Sequence, residues 1–316
     1  MITKELKKNP NFNLIVQEVI GKSSLQKKKI IKLLDSADKL YFQRAENFSF
    51  FFFKYLKKQK IKLNYAINAY LKLCADMMIS QKYFLKYKKY PVDDEKTAYE
   101  NVYDNFHEMK SYMIGLAVSQ FLWSTHYAMY SFFIKKITQE SSKVNNYLEV
   151  GPGHGLFLAQ ALEKLDKKTN FEIIDISKTS IKITKSIINL INKKKININY
   201  KKKNVFNIKK SKKFDFITMG EVLEHVAEPK KLLIKLKSLI TKNGSIFVST
   251  CVDCPSIDHI YHFKTVQEIE KMIKESGFVI LDKKILPVED KPMKEIIKNK
   301  ITINYCAHIK KSNNEK

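Results

Sequence analysis

The sequence predicts two regions: an all-helical unit over residues 1–140, then an α/β unit over residues 141–316 with a mostly parallel sheet and helices on both faces. Three observations carry this expectation. Glycine is nearly absent before residue 140, where only Gly21 and Gly115 occur. Apolar residues in that region recur at helical spacing. Beyond it, short apolar runs alternate with amphipathic stretches, the rhythm of strand–helix–strand units.

In the first region, "QKKKIIKLLDSADKLYFQRAENFSFFFFKYLKK" places apolar residues on one helical face. The run Phe50 to Phe53 is expected in the core, because lysines follow at once. From Ser111 to Ile134 no residue is formally charged, and the length would span a bilayer. Gln120, Ser124, Thr125 and His126 interrupt that run, and hydrocarbon penalises them. One or two buried helices are expected there, with no membrane span. "SSKVNN", Ser141 to Asn146, reads as a linker.

Past the linker, "NYLEV" is a strand, "GLFLAQALEKL" a helix, "FEIIDI" a strand and "SIKITKSIINLIN" a helix. "FDFITM" is a strand. "PKKLLIKLKSLI" is a helix with Pro229 in its first turn and Asn243-Gly244 at its end. "GSIFVST" is a strand. "TVQEIEKMIKESG" is a helix opened by a Thr265–Glu268 capping box and closed by Gly277. "GFVILDKKIL" and "ITINYCAHIKK" read as two last strands, and the tail "KKSNNEK" is expected to fray.

Composition bounds the partners. With 316 residues and 44% apolar content the chain supports a real core. The formal charge is +26, yet Arg44 is the only arginine. Lys, Asn, Ile, Phe and Tyr are abundant, as an A/T-rich genome would make them. Nucleic-acid readers favour arginine's planar fork. A solvated basic surface is therefore expected rather than a nucleic-acid site, and a positive field would suit an anionic small substrate. Four cysteines and the start "MITKELKKNP" give no disulfide framework and no apolar signal region, so a cytoplasmic location is expected.

The stretch "LEVGPGHGLF", Leu148 to Phe157, ends a strand in a carboxylate and three alternating glycines. A phosphate loop needs a GK[ST] ending, but Leu156 follows Gly155. A dinucleotide fingerprint needs G-x-G-x-x-G, and here the third glycine comes one residue early. Glu149 beside the turn would also repel a pyrophosphate. A carboxylate followed by G-x-G-x-G resembles the first motif of class I S-adenosylmethionine-dependent methyltransferases. "FEIIDIS", "FDFITMGEVLEHV" and "HFKTVQEIEKMIKESGF" resemble later motifs of that family in the same order, over roughly residues 145–311.

The resemblance implies a Rossmann-like, seven-stranded sheet and S-adenosylmethionine as cofactor. It implies a cofactor site of Glu149, Gly151, Pro152, Gly153 and Gly155. Asp175, with Ile176 beside it, would accept from the ribose hydroxyls. Asn204, with Val205, stands where the family usually has an acidic residue contacting the adenine amine. Gly220 and Glu221 would lie beside the cofactor.

The chemistry expected is in-line methyl transfer, which needs alignment and exclusion of water. A hydroxyl acceptor also needs a base. Glu221 and His225 follow the fourth strand of the family pattern, and Asp258, His259 and His262 follow the fifth. His259, oriented by Asp258 or Glu221, is the first candidate. No metal is expected: Asp258, His259 and His262 are acceptable ligand types, but an i, i+3 His pair in a loop is common by chance, and Cys251 and Cys254 form a single C-x-x-C with no second pair. Trp123, His126, Tyr127, Tyr130 and His262 are candidates for the substrate pocket, with the helical region as its cap. A small-molecule acceptor, such as a sugar, lipid precursor or other metabolite, is the leading expectation. RNA or protein as acceptor, or a non-catalytic cofactor-binding role, are the alternatives. The oligomeric state is not legible.

Overall fold

The computed structural model describes residues 4–192 and 194–312; the last four residues of the tail expected to fray lie outside them. The chain opens with helices α1 (Lys4–Lys7), α2 (Pro10–Lys22), α3 (Ser24–Ser36), α4 (Lys39–Lys58), α5 (Leu63–Tyr87) and α6 (Glu95–Ala98). A single π turn, Tyr99–Tyr103, leads to α7 (Phe106–Ser119) and α8 (Ser124–Glu140). Pro10 starts α2 at a position where its missing N–H costs nothing. Ser23, Asp38 and Asn105 cap α3, α4 and α7 by accepting first-turn N–H groups.

The uncharged segment forms parts of α7 and α8, broken at Gln120–Trp123. Among the described residues no helix is long and apolar enough to cross a membrane. The Phe50–Phe53 run is only partly core. Phe52 is buried, while Phe50 is 43% exposed. Consecutive helical residues point around the axis, so four in a row cannot share one face.

The second half runs β1 (Asn146–Val150), α9 (Leu156–Lys164), β2 (Asn170–Asp175), α10 (Lys178–Ile191), β3 (Ile198–Lys202), β4 (Phe214–Gly220) and α11 (Pro229–Leu239). It closes with β5 (Ile240–Val252), α12 (Val266–Glu275), β6 (Phe278–Pro287), α13 (Met293–Lys298) and β7 (Ile303–Lys311). The seven strands lie in the order β3-β2-β1-β4-β5-β7-β6. β1 to β5 are parallel, and β7 runs antiparallel between β5 and β6. One local expectation fails. Asn243-Gly244 does not end α11, which stops at Leu239. Ile240 already pairs with Phe214, and the register shifts before Ser245 pairs with Phe216.

Each face of the sheet is covered. On one side Tyr147, Phe171, Phe216 and Phe247 pack with α9 and with Met129, Phe132, Phe133 and Ile137 of α8. On the other, Leu148, Ile174, Ile217 and Val248 pack with leucines of α11 and isoleucines of α12. The expected 140/141 boundary thus falls at the end of a helix whose apolar face closes the sheet. The earlier helices share a separate core, which also takes in Leu156 of α9 and Ile183 of α10. That contact seats them over the carboxyl ends of β1 and β2.

Candidate functional site

β1 and β4 are neighbours from which the chain departs in opposite directions, and such a switch point opens a crevice at the carboxyl ends of the strands. Gly151, Gly153 and Gly155 take φ of 66°, 51° and 76°, a left-handed region that side chains avoid. A Cβ on Gly153 would meet no protein atom within 4 Å. Gly153 also lines a cavity of about 1690 Å³ that runs from this turn to the inner face of the helical cap.

The cavity gathers most of the residues singled out above. Gly151, Pro152, Gly153, Asp175, Ile176, Asn204, Val205, Gly220 and Glu221 line it, and so do His225, His259, Trp123 and His126. Asp175 stands at the end of β2 and accepts from Ser177 N–H at 2.8 Å and Ser180 Oγ at 2.6 Å. Burial pushes its carboxyl up to about 6, against the pull of those bonds. Asn204 is exposed, and its Oδ1 accepts from Phe206 N–H at 3.0 Å, so the side chain offers mainly its NH2 group.

Six expected site residues do not line the cavity. Glu149 is 1% exposed and turned away. It shares a 2.6 Å bond with Tyr147 Oη, and burial pushes its carboxyl up to about 8. Strand alternation explains this: Val150 faces the cavity, so its neighbour faces the opposite side. Gly155 caps α9 against Thr184 and Ile188. Tyr127 and Tyr130 pack inside the helical unit beside Phe121 and Arg44. His262 is held by Asp253 at 2.7 Å and sits against Phe84 and Tyr90.

Asp258, the sixth, is fully buried and serves a histidine other than the one expected. Its Oδ2 accepts from Tyr103 Oη at 3.0 Å and lies 3.5 Å from His225 Nδ1. His225 Nδ1 lies 3.0 Å from the Asp258 carbonyl and 2.9 Å from Tyr103 Oη. A carbonyl only accepts, so Nδ1 carries the proton and Nε2 remains a free base. His259 is placed differently. Its Nδ1 donates to the Cys254 carbonyl at 2.6 Å. Burial opposes a charge on its imidazole, but the neighbouring Cys254 thiolate holds its pKa up. Cys254 is itself held low, first by Cys251 and then by His259. His259 thus faces the two cysteines, while His225 meets Asp258 and Tyr103, which makes His225 a second candidate base.

Several contributors had no clear sequence signal. Tyr103 comes from the π turn and Tyr112 from α7. His154 sits within the quoted glycine stretch but was not singled out. Its ring is buried, which pushes its pKa down to about 4. Among the described residues, His154 Nδ1 and Glu221 Oε1 are buried without hydrogen-bond partners. Glu221 also takes φ 53°, strained for a non-glycine residue. Repulsion from Glu224 adds to burial in raising its carboxyl.

These features fit S-adenosylmethionine. Asp175 offers two oxygens to a diol, the Gly153 backbone leaves room for close approach, and Glu221 offers an unpaired carboxyl oxygen to a cationic amine. Comparison with known proteins bears on the fold. A family model described as a methyltransferase domain matches residues 125–283. An O-methyltransferase family protein from Burkholderia thailandensis superposes with a TM-score of 0.53 at 10% identity, over 79% of this chain and 72% of that one. Mitomycin 7-O-methyltransferase MmcR gives 0.53 at 8% identity, over 79% and 70%. The N-methyltransferase NodS from Bradyrhizobium japonicum WM9, in complex with S-adenosyl-l-homocysteine, gives 0.46 at 14%, over 60% and 88%. Identities this low speak to fold alone. No curated protein matches the sequence.

Proposed function

The chain belongs to the class I S-adenosylmethionine-dependent methyltransferases, with S-adenosylmethionine as its cofactor, and we propose that its acceptor is a small molecule with a sizeable apolar body, methylated on oxygen or sulfur inside the cavity. The continuity of that cavity carries the reading. At about 1690 Å³ it exceeds the roughly 300–1,000 Å³ of an ordinary ligand site, so cofactor and acceptor fit together. Its cap-side wall includes Leu33, Leu73, Met77, Met109 and Met113, an adaptable apolar surface. Lys29 on the same wall gives an anionic substituent a counter-charge. Residues 1–140 act in this reading as the substrate cap.

The cofactor, when bound, supplies an electrophilic methyl group. The chain's own residues do the rest. Asp175 accepts the ribose hydroxyls and Glu221 faces the cationic end. His225 Nε2 takes the acceptor's proton, held by Nδ1–H bonds to Asp258 and Tyr103. General-base help of this kind is worth about 10²–10⁴-fold. The need for a base favours an acceptor atom that must lose a proton. Trp123 and His126 line the cavity and help exclude water. The test is turnover: purified protein, S-adenosylmethionine and a panel of apolar hydroxy and thiol compounds, reading S-adenosylhomocysteine and products heavier by one CH2. Transfer to RNA or protein but to none of the small molecules would overturn the proposal.

A further inference from the structure

We propose that Cys251, Cys254 and His259 form a zinc site in the wall of the cavity, with its open coordination position facing the acceptor. The three side chains are buried, and their ligand atoms lie within 4.8 Å of one another. Cys251 Sγ is 3.8 Å from His259 Nδ1. Zinc bonds of about 2.3 Å to sulfur and about 2.0 Å to nitrogen, at a tetrahedral angle, set that edge near 3.6 Å. Two thiolates and an imidazole form a donor set that selects zinc over hard cations.

The local fold is built to bring these groups together. In a continuing strand, residues three apart would face opposite sides of the sheet. Here β5 ends at Val252 and Asp253 takes φ 47°, a left-handed turn that swings Cys254 back toward Cys251. Asp253 is pinned by His262 at 2.7 Å and Lys300 at 3.5 Å. Cys254 N–H donates to Tyr90 Oη of the cap at 2.9 Å. His259 Nδ1 donates its proton to the Cys254 carbonyl at 2.6 Å in the absence of metal, and zinc binding at this nitrogen would release that proton.

Cys254 and His259 line the cavity, whereas Cys251 lies behind them. Three protein ligands with a fourth position open to a substrate chamber is the catalytic pattern, distinct from a closed structural site. An acceptor oxygen or sulfur would take that position. This role rests on the proposed acceptor reading, but the binding of the metal does not.

The test uses the full-length protein purified under reducing conditions, with metal content measured by mass spectrometry. Chelator-treated protein is then titrated with zinc and with cobalt(II). The expected result is one zinc per chain and a thiolate-to-cobalt charge-transfer band. Both should be lost in Cys251→Ser/Cys254→Ser and weakened at least tenfold in His259→Ala. Melting curves and S-adenosylhomocysteine binding report whether each variant folds. Absence of stoichiometric zinc, a cobalt spectrum without the thiolate band, or stoichiometry unchanged in the double variant would overturn the site. So would a Cys251–Cys254 disulfide that re-forms in air with zinc present. Failure of the acceptor reading is read separately, in the turnover assay.

Discussion

Replacing Glu149 with glutamine separates two roles for the residue that opens the glycine motif. The side chain is 1% exposed, shares a bond with Tyr147 Oη at 2.6 Å, and has its carboxyl pushed by burial from the ordinary 4.5 up to about 8. The folded chain therefore keeps the proton at pH 7, while the unfolded chain loses it. Because the folded value is raised, its contribution to stability is complete below about 4.5 and is lost as pH climbs toward 8. At pH 7 the loss is about 2.5 units at 1.36 kcal/mol each, or about 3 kcal/mol; at pH 5 it falls below about 1 kcal/mol.

Glutamine has the same shape and needs no proton. Its NH2 can donate to Tyr147 Oη, which can donate onward to Thr218 Oγ1 at 2.9 Å. Glu149→Gln should thus raise the melting temperature at pH 7, do so far less at pH 5, and leave cofactor affinity unchanged. Calorimetric melts at both pH values and titration with S-adenosylhomocysteine check this. A variant no more stable at pH 7 than at pH 5, relative to the parent, would refute the burial argument. A tenfold loss of cofactor affinity would restore Glu149 to the binding site.

Three further outcomes are expected. Asp175, pushed up to about 6, must be ionised to accept two hydroxyls. Cofactor affinity should therefore be full above pH 6 and about tenfold weaker at pH 5, with the slope abolished in Asp175→Asn; titration calorimetry across that range decides it. Gly153→Ala should fold with a loss of about 1–2 kcal/mol from its φ of 51°, since its Cβ meets no protein atom within 4 Å, but lose at least tenfold in cofactor affinity, which fluorescence titration measures beside a melting curve. His225→Asn should lower kcat by about 10²–10⁴-fold with cofactor affinity intact, and Tyr103→Phe by less; equal activity in His225→Asn would remove it as the base.

The sheet was legible because its central strands are buried on both faces and so read as apolar runs between glycine or capping signals. β3 was missed as a strand. It lies at the sheet edge, where "INYKK" is half-buried and polar. The Asn243-Gly244 error has a related origin. Local turn chemistry predicted a helix end, while pairing of Ile240 with Phe214 claimed those residues for β5. Gly151, Gly153 and Asp175 could be placed at the cavity from sequence because backbone conformation and strand ends constrain residue type. The choice between His225 and His259 was not. It depends on which histidine meets Asp258 and which meets Cys254, and both contacts are set by loop folding and by Tyr103 from more than a hundred residues away.

That distance in sequence also explains how the two halves cooperate. The stretch from Tyr90 to Tyr103 touches the loops after β2, β4 and β5. Ser177 Oγ, two residues past Asp175, donates to the Tyr103 carbonyl at 2.8 Å. The Tyr103 hydroxyl reaches Asp258 and His225. Glu95 accepts from Ala227 N–H at 2.8 Å, and Tyr90 accepts from Cys254 N–H. One segment of the helical half thus ties the loop after Asp175 to His225 and to the cysteine turn. Each bond is worth only about 0.5–1.5 kcal/mol net, so together they hold the segment closed by a few kcal/mol. That stabilisation fixes the Tyr103 hydroxyl against Asp258 and His225.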